Sequence, residues 1–145
     1  CLAAALALAL APGVARADVA ADRATLARLE QRSKAFYDSL ARGQRDAAGG
    51  EWRSLEADLA AFVDRLREEL GRLRDEVVER DEDLEALFRS PRWREPEVMS
   101  LVASYHLAWV RYQGAQLVGD AARKRVLLEQ AAAGFSQFPR WCRSW

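Results

Sequence analysis

The chain has 145 residues, 22 of them basic and 22 acidic. That balance excludes a nucleic-acid binder driven by a general positive field, and the length suits one domain with a moderate core. The balance hides a division: residues 1–50 carry seven basic and five acidic side chains, 51–88 carry six and thirteen, and 89–145 carry nine and four. The middle of the chain is therefore acidic and its end basic. Twenty of the 22 basic residues are Arg, which the codon bias of a GC-rich genome explains before function does.

The opening stretch, LAAALALALAPGVARA, resembles an export signal without its basic start. An apolar run ends at Pro12-Gly13, and Ala15-Arg16-Ala17 supplies the small residues a signal peptidase needs before Asp18. The run is too short to span a bilayer, so after cleavage no integral membrane span is expected. A lipid-anchored start at Cys1 is the weaker alternative, because an apolar run rather than a polar linker follows it. After cleavage Cys142 is the only thiol, and one cysteine forms no internal disulfide. The start at Cys1 and the end in PRWCRSW are those expected of a fragment of a longer chain.

From Asp18 the pattern becomes helical. Leu26, Leu29, Ser33, Phe36 and Leu40 follow steps of three and four, with Tyr37 flanking, which predicts a helix over 19–46. Gly49-Gly50 can adopt the positive φ of a sharp reversal. Residues 51–90 then contain no proline, and Leu55, Leu59, Phe62, Leu66, Leu70, Leu73, Val77, Leu84 and Leu87 form a stripe with one skipped turn at Arg80 and Asp81. This predicts a second helix about 60 Å long, antiparallel to the first. Pro91 and Pro96 are not expected to share a helix, so 91–96 reads as a joint containing Trp93.

Beyond the joint, Leu101, Tyr105, Ala108, Trp109, Tyr112 and Ala115 mark one face of a third helix, ended by Gly119-Asp120. A fourth presents Leu127, Leu128, Ala131, Ala132, Phe135 and Phe138, with Pro139 closing it. Tyr105, Ala108, Trp109 and Tyr112 on one helix, then Ala131, Phe135, Phe138 and Pro139 on the next, resemble the helix pair of a tetratricopeptide repeat. The resemblance covers about residues 98–139. It departs from the family pattern in the Ala108-Trp109 pair, in a long stretch between the two signatures and in an early Pro139. It implies protein–protein scaffolding and no chemistry.

The expected architecture is all-α: a signal over 1–17, a long helical hairpin over 18–90, a joint over 91–96, a helix pair over 97–139 and an irregular tail over 140–145. No catalytic, cofactor or metal site is expected. His106 is the only histidine, and its neighbours one turn away, Val102, Ala103, Trp109 and Val110, offer no second ligand. The acidic run Glu79 to Asp83 reads as a solvated helix face, because helical carboxylates fan outward instead of converging on a cation. Trp93, Tyr105, Trp109, Tyr112, Phe135 and Phe138 are the candidate contacts for a partner, since aromatic side chains carry much of the energy of interfaces. The expected function is that of an exported, non-catalytic scaffold of the bacterial envelope with protein partners. The alternative is a coiled-coil hairpin that self-associates or spaces envelope components.

Overall fold

The structure is a computed structural model that describes residues 11–137, with side chains described from Val19 onward. Residues 1–10 of the expected signal, together with Phe138, Pro139 and Cys142, lie outside the described residues. Among the described residues five helices form an all-α bundle: α1 Ala11–Ala41, α2 Arg45–Glu79, α3 Leu84–Arg89, α4 Pro91–Ala115 and α5 Ala121–Ser136. Helices α1 and α2 are antiparallel, as the ion pairs Asp22–Arg65 and Arg32–Asp58 require. Helix α4 runs back along α2, from Arg92 beside Glu76 to Arg111 beside Glu56. Helix α5 reverses once more and rests chiefly on α4.

The apolar stripe of α2 organises the core. Leu55, Leu59, Phe62, Leu66, Leu73 and Val77 are buried as their spacing predicts, and Trp52 and Val63 join them. Leu29 and Phe36 of α1 cover one side of this stripe, and Met99, Ala103, Leu107 and Val110 of α4 cover the other. Each large side chain so buried contributes roughly 1.5–3 kcal/mol. The rim is tied by charge. Arg65 donates both terminal nitrogens to the nearly buried Asp22, one of them at 3.2 Å. Arg32 reaches Glu51 at 2.8 Å and Asp58 at 2.6 Å. At the far end Glu76 accepts from Arg72 and Arg92. Desolvation pushes its pKa up, but the hydrogen bond from Arg92 and the charges of both arginines outweigh it and hold the carboxyl below the usual range.

Three expectations about the connections are corrected. The first reversal lies at Gly43, not at Gly49-Gly50. Gly43 has φ +74°, and the amides of Gly43 and Gln44 return to the carbonyls of Leu40 and Ser39 at 2.9 and 3.0 Å. These are the paired bonds of a Schellman closure. Gly49 and Gly50 lie inside α2 because Ala48 and Trp52 on either side of them are buried. Second, the long helix expected over 51–90 ends at Glu79, at the skipped turn. Asp81 takes the left-handed conformation with φ 54°, and the amides of Asp81 and Glu82 bond the carbonyls of Val78 and Val77.

Third, Pro91 and Pro96 do share a helix, so 91–96 is no joint. The Ser90 hydroxyl accepts from the Trp93 amide at 3.4 Å, and Pro91 occupies the first helical position, where its missing N–H matters least. Pro96 sits buried in the second turn and gives up one main-chain bond there. The true elbow is 80–83, with α3 folded against α2 and α4 through Leu73, Val77, Leu87, Leu84 and Trp93.

Gly114 lets α4 come close to α2 at Trp52. A Cβ built on the glycine would lie 2.8 Å from Cε3 of the Trp52 indole. Gly114→Ala is therefore expected to destabilise the bundle by about 1–3 kcal/mol through overpacking, read as a lower urea midpoint. Asp81→Gly should act in the opposite direction, raising stability by up to about 1 kcal/mol by relieving a left-handed non-glycine residue. An unchanged midpoint in either variant contradicts the assigned geometry.

Candidate functional site

The face marked by Leu101, Tyr105, Ala108, Trp109, Tyr112 and Ala115 is not the inward face of α4. Instead α4 turns Ala103, Leu107, Val110 and Gly114 inward, and of the expected stripe only Ala108 and Ala115 are buried. The reason is that from Val98 to Val110 α4 is apolar, aromatic or small on every face but that of His106, so its spacing does not single out one face. Its small residues win the inward position because they let α4 approach α2 closely, as Gly114 does beneath Trp52.

The aromatic residues form a shelf along the α4–α5 contact. Trp109 stands at its centre, with ring centroids 5.7 Å from Tyr112, 5.3 Å from Phe135 and 6.4 Å from Tyr105, all edge to face. Tyr105 also meets Phe135 at 6.1 Å. Edge-to-face pairs are worth about 0.5–1.5 kcal/mol beyond burial, so the shelf is held in one arrangement before anything touches it. Tyr105 and Tyr112 nonetheless remain 39% and 41% exposed, and Trp109 and Phe135 are half-buried. The shelf is built where Ala108 meets Gly134, a position at which an added Cβ would lie 2.8 Å from Ala108 Cβ. Four of the six expected contact residues are thus brought together.

Trp93 is not part of this group. Trp93 lies twelve residues before Tyr105 on the same helix, about 18 Å away along the axis. It packs on Phe88 at 4.8 Å in the elbow cluster. Phe138 lies outside the described residues.

Beside the shelf, His106 is wedged between α4 and α1. Its Nε2 is 3.7 Å from Glu30 Oε1, and its buried Nδ1 makes no hydrogen bond among the described residues. Burial lowers its pKa, with Glu30 acting against the shift. On α1, burial pushes the Tyr37 phenol up to about 12. Its hydroxyl lies toward Ser33 without meeting a partner in good geometry, while Ser33 itself donates to the Leu29 carbonyl at 2.9 Å. The approach of Glu30 to His106 had no signal in the sequence, because it joins elements far apart along the chain.

The acidic run also has a structural part that its helical reading missed. Asp81 forms the turn, and Asp83 caps α3 by accepting from the Glu85 amide at 2.8 Å. Among the described residues no group of three or more His, Cys, Asp or Glu is placed to hold a metal ion, and no helix is long and apolar enough to cross a membrane. No protein-family model, no curated protein and no solved structure matches this chain.

The state of His106 yields a pH prediction. Its folded pKa lies below the ordinary value of about 6.5, so the unfolded chain binds more protons as the pH falls through that window. The contribution of His106 is complete above about pH 6.5 and is lost below it. Urea midpoints of the native chain should fall more between pH 7.5 and 5.5 than those of His106→Gln. Parallel curves would show that the histidine is not held neutral.

Proposed function

We propose that this chain is an exported, non-catalytic protein-interaction scaffold of the bacterial envelope, with tetratricopeptide-like character in its C-terminal helix pair. The observation that carries the reading is the aromatic shelf. It is pre-ordered by its own ring contacts yet leaves two tyrosines substantially exposed. Rigid aromatic side chains of this kind supply large contact area at little entropic cost when a partner arrives. The export component rests on the signal-like stretch before Asp18. The repeat component rests on Tyr105, Ala108, Trp109 and Phe135 meeting across two antiparallel helices, as the resemblance implies.

The self-associating hairpin is the less favoured reading for a physical reason. The stripe that would pair with a second copy, from Leu55 to Leu66, is already covered by α1 and α4 within one chain. Two residues test the proposal in cells of the source organism. A photo-crosslinking amino acid at Tyr112 should yield a discrete protein adduct, whereas the same group at the exposed Lys34 on α1 should not. Tyr105→Ser should weaken the Tyr112 adduct while lowering stability by no more than about 1–3 kcal/mol, the worth of its edge-to-face contacts with Trp109 and Phe135. Equal labelling at both positions, or none at Tyr112, would remove the shelf as a contact surface.

A further inference from the structure

On the other flank of the Ala108–Gly134 contact, α2, α4 and α5 enclose a cleft of about 230 Å³. We propose that this cleft binds a small monocarboxylate. Its polar lining is Arg67 and Asp64 from α2, Ser104 and Arg111 from α4, and Gln130 and Gln137 from α5. Arg67 stands apart from its neighbours on α2. Arg65, Arg72 and Arg74 each pair with a carboxylate, whereas the bond found for Arg67 among the described residues is to the nearly buried Ser104 hydroxyl at 3.5 Å. Asp64, one turn earlier, forms no ion pair with it among the described residues. Arg111 is anchored by its Nε on Glu56 at 2.9 Å, which fixes the guanidinium and leaves its terminal nitrogens for another acceptor.

Two guanidinium groups and a hydroxyl facing one cleft match the planar fork of a carboxylate. Asp64 at the rim penalises a doubly charged anion such as phosphate, because like charges repel strongly at short range. Val63 and Leu107 form apolar walls that accept a short hydrocarbon stem. Residues 138–145 include Arg140 and Arg143 and no acidic residue, so that stretch offers the cleft no carboxylate side chain. The lining suits the carboxylate of a free amino acid, whose ammonium group Asp64 would receive, or of a peptide C-terminus.

The test is a titration of the full chain followed by amide chemical shifts, with L-alanine, N-acetyl-L-alanine and inorganic phosphate as probes. Saturable shifts are expected at Ser104, Ala133 and Gly134 with at least one of the two carboxylates. Tighter binding of L-alanine identifies a free amino acid, and tighter binding of the acetylated form identifies a peptide end. Arg67→Gln should weaken binding about tenfold or more while leaving the chain folded, because Arg67 is exposed and forms no ion pair among the described residues. Absence of saturable shifts up to about 10 mM, a free energy limit near the weakest specific binding, would overturn the proposal. So would equal affinity in the variant, or phosphate binding as tightly as the carboxylates.

Discussion

The structure depends on the width of the apolar stripe along α2. A strict coiled-coil seam serves one neighbour, but Trp52 and Val63 broaden this stripe so that it serves two. Helix α1 takes one side through Leu29 and Phe36, and α4 takes the other through Ala103, Leu107 and Val110. Ordering the backbone opposes folding by roughly 1–2 kcal/mol per residue, so a two-helix hairpin with half its stripe in water is a poor bargain. The third helix removes that deficit, and this makes the proline-containing α4 as much a part of the core as the hairpin itself.

The spacing of apolar residues was enough to foresee the all-α bundle and the inward face of α2, because Leu55, Leu59, Phe62, Leu66, Leu73 and Val77 recur with the helical period. The connections were harder to read. Gly43 and the Gly49-Gly50 pair are equally permissive in isolation, and the choice between them is made by the burial of Ala48 and Trp52, a tertiary effect. Ser90-Pro91 reads equally as a breaker or as a cap followed by a first-turn proline, and the Trp93 amide on Ser90 decides for the second. The skipped turn at Arg80 and Asp81 was visible in the pattern, and it marks a chain reversal rather than a drift of the stripe.

The same limit governs the site. Between Val98 and Val110 nearly every face of α4 is apolar, aromatic or small, so periodicity could not tell which residues face α2. Size decided it: the small and aliphatic residues moved inward and the large rings were left along the edge with α5. The aromatic shelf is thus a consequence of close packing elsewhere, and Ala108 against Gly134 sets where it stands. The reading of this chain as a contact module rests on that by-product of packing, and the cleft beside it shares the same floor.

Their shared core makes α1, α2 and α4 one cooperative unit rather than a hairpin with an accessory helix. Native-state hydrogen exchange measures this most directly, because amides in a single cooperative unit share one opening free energy. The amides of Phe36, Leu59 and Val110, one buried residue from each helix, should exchange through the same opening event and respond equally to added denaturant. If Val110 opens at a distinctly lower free energy while Phe36 and Leu59 stay protected together, the hairpin stands alone and the account of α2 as a shared spine is wrong.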